Sequence, residues 1–132
     1  MRYLHDTNVV LDLIRNPQGV VAARVREVGE APVCTSIIVA AELRYGAMKK
    51  GSSRLAAQLE AILGVLDVLP FEAPADAAYG LIRTRLEQAG RPIGGNDLLM
   101  AAQAIALGHA IVTDNEAEFA RIGSLACANW LR

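Results

Sequence analysis

Four carboxylates carry the chemistry this sequence could do: Asp6, Glu42, Asp97 and Asp114. Asp97 follows the Gly/Pro-rich stretch Arg91-Pro92-Ile93-Gly94-Gly95-Asn96 and opens the apolar run Leu98-Leu99-Met100-Ala101-Ala102. There Asn96 is expected to cap a helix and Asp97 to fall in its first turn, where the macrodipole favours negative charge. Taken alone, that is an ordinary helix-start acid. Glu42 is odder, because at helical spacing it shares a face with Ile38 and Tyr45, and a carboxylate on an apolar face costs free energy unless it is paired or bound to a cation. Pairing with Arg44 or a lysine is the simple alternative. Asp6 ends the short run from Tyr3, and Asp114 ends Ala110-Ile111-Val112-Thr113. Carboxylates brought together without a counter-charge repel and raise one another's pKa values, so a cluster of them makes sense as a cation site. All-oxygen ligation suits Mg²⁺ or Mn²⁺, whereas zinc would want His and Cys. With no Walker loop, such a site points to phosphodiester hydrolysis, in which a metal neutralises phosphate charge and activates water.

The elements between these acids alternate. Tyr3 to Asp6 reads as a strand, followed by a helix carrying Val9, Val10, Leu13 and Ile14. Asn16-Pro17 reads as the start of a second helix with Val21, Val25 and Val28 inward. Pro32 to Thr35 is a strand, Ser36 a cap, and Ile37 to about Met48 a helix closed by Lys49, Lys50 and Gly51. Ser53 to Leu66 is amphipathic, Asp67 to Pro70 β-like, and Ala73 to Ala89 helical with Ala78, Leu81, Ile82 and Leu86 inward. Gly108 ends the Asp97 helix, Ala110 to Asp114 is a buried strand, Asn115 to Arg121 a helical turn, and Leu125 to Ala128 an edge strand. Short strands alternating with helices imply an α/β fold with a mainly parallel sheet covered on both faces. Ligands in such sheets sit beyond the strand carboxyl ends, where Asp6 and Asp114 stand and where crossovers aim the starts of the Glu42 and Asp97 helices.

The chain of 132 residues reads as one domain, 1–132, with 53% hydrophobic residues and a formal charge of −1. That balance gives no global attraction to nucleic acid, so any such contact needs a local basic patch. Arg83, Arg85 and Arg91 form one modest candidate. Cys34 and Cys127 lack metal-binding spacing and are expected as reduced, buried thiols. No apolar run reaches transmembrane length and the N-terminal stretch has no signal-like core, so a cytoplasmic protein is expected.

Asp6-Thr7-Asn8 after a short strand, Glu42 with Tyr45-Gly46-Ala47 behind it, Arg91-Pro92-Ile93-Gly94 with Asn96-Asp97, and Val112-Thr113-Asp114-Asn115 before Glu118-Phe119 resemble the PIN-domain ribonucleases, specifically VapC-type toxins of toxin-antitoxin pairs. The resemblance runs from the first strand to Trp130 and implies a three-layer α/β/α PIN-like domain. It also implies an Mg²⁺- or Mn²⁺-dependent endoribonuclease with Asp6, Glu42, Asp97 and Asp114 as catalytic acids. Asp6, Asp97 and Asp114 would ligate metal, and Glu42 would orient or deprotonate the water. Glu118 is the alternative fourth acid. Thr7, Asn8, Asn96, Thr113 and Asn115 would frame the site. The expected reaction is in-line attack by metal-activated water, leaving a 5′-phosphate and a 3′-hydroxyl. The resemblance further implies a homodimer and a VapB-type antitoxin crossing an apolar groove, with DNA reached only through that antitoxin. The implied substrate is structured RNA such as initiator tRNA, with Arg83, Arg85, Arg91, Lys49 and Lys50 as phosphate contacts. His5 departs from the pattern, standing where an aliphatic residue is expected, and is read as a hydrogen-bonded core histidine.

Two other readings compete. A haloacid-dehalogenase-type phosphatase also begins with strand and Asp, but its second Asp would fall at Asn8. A PIN scaffold that binds RNA or protein without cutting would be favoured by lost acids, and here all are present.

Overall fold

A computed structural model describes residues 1–131. Five strands form one sheet in the order β3-β2-β1-β4-β5. They are β1 (Tyr3–His5), β2 (Val33–Ser36), β3 (Asp67–Leu69), β4 (Ala110–Val112) and β5 (Cys127–Ala128). Every pairing is parallel, so all carboxyl ends share one rim. The helices are α1 (Thr7–Arg15), α2 (Val20–Val28), α3 (Ile37–Lys50), α4 (Ser53–Val65), α5 (Ala75–Gln88), α6 (Gly95–Leu107) and the short α7 (Glu116–Phe119). Among the described residues no helix is long and apolar enough to cross a membrane.

The register of β1 explains the two-sided core. Leu4 stands beside Cys34 and Ile111, and these face the larger cluster that includes Val39, Leu59, Met100 and Phe119. Tyr3 beside Val33, and His5 beside Val112, face the opposite way, where Val21 and Trp130 close a smaller cluster. Period-two alternation thus puts apolar residues on both faces, as a helix-covered parallel sheet requires.

Local chemistry sets the helix starts. Asp6, Ser36 and Ser52 each accept a hydrogen bond from a backbone N–H of the first turn that follows them, caps worth about 1 kcal/mol apiece. Gly51 and Gly108 end α3 and α6 at φ +65° and +70°, a left-handed conformation that glycine adopts without Cβ strain.

Several expectations from the sequence are corrected. Asn16-Pro17 does not open α2. Asn16 instead closes α1, its backbone N–H and its side-chain amide both donating to Asp12, and α2 begins at Val20 after Gly19. Asn96 is not the cap of α6: Leu98 N–H donates to Gly94 O, which makes Gly94 the cap and leaves Asn96 exposed inside the first turn. Leu81 points outward, 52% exposed. Cys34 is buried but Cys127 is exposed, and both are free thiols. The edge strand shortens to Cys127–Ala128, and Thr113 and Asp114 lie just past β4.

Candidate functional site

Each acid reaches the carboxyl rim by a different route. Asp6 follows β1 and caps α1, its Oδ1 accepting from Val9 N–H at 3.1 Å, which holds the carboxylate at the strand end. It is buried, and burial pushes its pKa up to about 6, with the Asp114 charge adding and the Thr113 hydroxyl and the Val9 N–H opposing. Asp97 is the third residue of α6. Burial, then the charge of Glu118, then those of Asp6 and Glu42 raise its pKa to about 6 as well. The Asp6 carboxylate after β1 and those of α3 and α7 therefore act together on Asp97.

Glu42 lies in the second turn of α3, and the simple pairing with Arg44 does not occur. Arg44 reaches away to Glu60 through two hydrogen bonds of 3.0 and 2.9 Å. Glu42 Oε2 instead accepts from the Thr7 hydroxyl at 3.2 Å, and its Oε1 is buried without a hydrogen-bond partner among the described residues.

Asp114 and Glu118, the two candidates for a fourth acid, occupy different environments. Asp114 is exposed beyond β4 and accepts from Asn8 Nδ2 at 3.2 Å. Glu118 Oε1 accepts at 2.7 Å from the N–H of Gly94, the residue that caps α6. That bond, together with the Asn115 amide, holds the Glu118 carboxyl below its ordinary range. Asn115 Nδ2 donates both to Glu118 Oε2 and to Asp97 Oδ2, the latter at 3.4 Å, and Asn115 N–H donates to Thr113 Oγ1 at 2.9 Å. The loop after β4 is thereby tied to the start of α6. This tie is a tertiary relation that no local pattern in the sequence carries.

The donor set is all oxygen. Among the described residues no three His, Cys, Asp or Glu side chains are already gathered as a ligand set, each acid being held by its own Thr, Asn or backbone donor. The residues nevertheless fit a hard divalent cation. Glu42 Oε1 is an orphaned buried acceptor, and Asp6 and Asp97 are carboxylates whose ionisation is disfavoured until a cation offsets burial and repulsion.

Other expected residues fall differently. Asn96 is exposed in the first turn of α6. Arg83 is occupied by Glu87 and Tyr79, and Lys49 lies over the Tyr45 ring. Arg85 and Arg91 are exposed, and Lys50 lines an apolar groove with Glu42. His5 is fully buried with neither ring nitrogen hydrogen-bonded among the described residues, contrary to the satisfied core histidine expected. It packs edge-on against Trp130 at 4.8 Å, and burial lowers its pKa to about 4.

Fold and site together define a parallel α/β domain with a carboxylate rim suited to a hard cation. A family model described as PIN domain matches residues 3–125. Ribonuclease VapC2 of Rickettsia felis is 38% identical, with 98% of each chain covered, and the tRNA(fMet)-specific endonuclease VapC of Shigella flexneri is 34% identical over the same shares. A structure of Rickettsia felis VapBC2 bound to a DNA fragment from their promoter superposes with TM-score 0.90 at 36% identity, covering 98% of this chain and 99% of that one. The chain belongs to the PIN-domain family, among its VapC-type members.

Proposed function

We propose that the chain, acting over residues 1–132 as one PIN domain, is a divalent-metal-dependent endoribonuclease and the toxin of a toxin-antitoxin pair. The observation that carries this reading is Glu42, held by the Thr7 hydroxyl with its Oε1 buried and without a hydrogen-bond partner among the described residues, on a rim where Asp6 and Asp97 also stand. Asp6, Asp97 and Asp114 would hold Mg²⁺ or Mn²⁺. When bound, the ion neutralises phosphate charge and lowers the pKa of water. Glu42 Oε1, free of hydrogen bonds, accepts the proton of the attacking water, and the Thr7 hydroxyl fixes Glu42 for that role. Attack in line with the leaving 3′ oxygen yields a 5′-phosphate and a 3′-hydroxyl. Asn115 and Glu118 orient Asp97 and the start of α6, and Asn8 holds Asp114.

Structured RNA is the proposed substrate, with tRNA first among candidates because the Shigella flexneri relative is named for tRNA(fMet). An antitoxin of VapB type is proposed for the groove of about 190 Å³ between α1, α3 and α4, whose walls are Leu11, Ile14, Leu43 and Leu59 and which contains Glu42. DNA would be met only through that antitoxin. The exposed apolar stripe of Ile37, Tyr45 and Met48 on α3 supports a homodimer, and a cytoplasmic location follows from this reading. Family membership leaves the phosphatase alternative without support, and retention of every acid argues against a non-cutting scaffold. Expression of the chain alone in a bacterium tests the proposal: growth should arrest and Asp6→Ala should relieve the arrest, whereas harmless expression of soluble wild-type chain would contradict it.

A further inference from the structure

Arg15 ends α1 and is exposed at the junction of three concavities. On one side lies the apolar groove that contains Thr7 and Glu42. On the other, a trough of about 280 Å³ runs from Asn8 and Asp114 past Asp12 to Arg15. It shares Asp12, Arg15, Asn16 and Leu131 with a larger open trough of about 560 Å³ that continues over Pro17 to Val20. A path lined by polar side chains thus leads from the acid rim to this guanidinium and beyond.

Several cations on the fold are already engaged. Arg2, Arg44 and Arg83 are paired with Asp67, Glu60 and Glu87. Arg121 donates to Pro92 O, and Arg24 and Lys49 lie over the rings of Trp130 and Tyr45. Arg15 has no such partner among the described residues. Asp12, its nearest acid along the helix, is engaged by the Asn16 amide at 2.8 Å. A cation in the last turn also suits the helix dipole, a contribution of about 0.3–1 kcal/mol at the surface. That contribution does not use the guanidinium's donors, which remain available in the fork geometry that matches a phosphate.

Asn8 and Arg15 are seven residues apart on one helix and so lie on one face, roughly 10 Å apart along the axis. We infer that Arg15 forms a phosphate subsite for the RNA substrate, gripping the backbone one or two nucleotides from the phosphodiester held at the acids. The inference rests on the nuclease reading above. RNA, rather than a peptide, is the occupant because this trough joins the Asn8 and Asn16 amides to the Arg15 guanidinium, groups that bond sugar hydroxyls and phosphates, with Asp12 placed to accept from a hydroxyl, while the groove on the other side of α1 is apolar.

The test uses full-length chain free of other proteins and a bulk bacterial tRNA preparation. In single-turnover cleavage with Mn²⁺, Arg15→Gln should raise the half-saturating concentration about tenfold while the maximal rate stays within about twofold, and Arg15→Lys should recover most of the loss. For binding without cleavage, Asp97→Asn and Asp97→Asn/Arg15→Gln are compared across salt concentrations, and the double variant should show a slope of log affinity against log salt shallower by about one. Arg26→Gln on α2, the same change of charge, should move neither readout. An Arg15→Gln enzyme indistinguishable from wild type, or an equal effect from Arg26→Gln, overturns the subsite alone. A wild-type chain that does not cut the tRNA overturns the nuclease reading and the subsite with it.

Discussion

The Thr7 hydroxyl donates to Glu42 Oε2 at 3.2 Å, while Glu42 Oε1 stays buried with no hydrogen-bond partner. One oxygen is thus fixed by the first turn of α1 and the other is left to accept a proton or a cation. An unsatisfied buried acceptor costs about 1–3 kcal/mol, and the fold retains it beside the Thr7 hydroxyl at the start of α1.

Glu42→Gln keeps the shape and the Thr7 contact but removes the proton acceptor. It should lower the single-turnover cleavage rate by roughly 10²- to 10⁴-fold with RNA affinity unchanged. Thr7→Ala should cost less, about tenfold, because Glu42 is only freed to rotate. Equal rates for Glu42→Gln and wild type would remove Glu42 from the reaction.

Metal should stabilise the native chain in proportion to its occupancy. At a Mn²⁺ concentration about 100 times its Kd the gain is about 2.7 kcal/mol, several degrees in Tm for a chain of this length. Differential scanning fluorimetry should show that shift in wild type and lose it in Asp6→Asn/Asp97→Asn.

Without metal, the charge on Asp6 opposes folding. Its native pKa of about 6 lies above the ordinary 3.8, so the native state binds the extra proton. Stability from this group is full below about pH 4 and is lost as pH rises through 6. Asp6→Asn keeps a cap but cannot ionise, so in EDTA it should exceed wild type by on the order of 2 kcal/mol at pH 7.5 and match it at pH 4, read from urea melts. A gap that widens toward low pH would contradict the assignment.

His5 buries two ring nitrogens without partners beside Trp130. His5→Leu removes that desolvation penalty and should raise unfolding stability by about 1–2 kcal/mol at pH 7, measured by urea denaturation. A loss of stability would mean that the edge-on Trp130 contact outweighs the orphaned nitrogens.

Much of this arrangement was legible from single residues. Short apolar runs around Leu4, Cys34 and Ile111 announced buried parallel strands, and Ser36 and Gly51 marked α3 closely, because caps and hydrophobic period are local signals. The errors came where two local signals competed. Asn96 and Asn16 are both good caps by type, but Gly94 supplies the carbonyl that starts α6, and Asn16 bonds backward to Asp12. Other features depend on tertiary pairing that no spacing encodes. The Glu118 bond to Gly94 N–H, the choice of Glu60 by Arg44, and the placing of Arg15 at the end of the trough from Asp114 belong to this group.

On the proposed reading, Asp97 and its neighbouring acids cut RNA with a divalent cation. Incubating purified chain, freed of any antitoxin, with bulk bacterial tRNA and Mn²⁺ tests it most directly, with Asp97→Asn and EDTA run alongside. Wild type with Mn²⁺ should release discrete fragments bearing 5′-phosphates, and Asp97→Asn or wild type in EDTA should release none. Intact tRNA in every reaction, or equal cutting by Asp97→Asn, would contradict it.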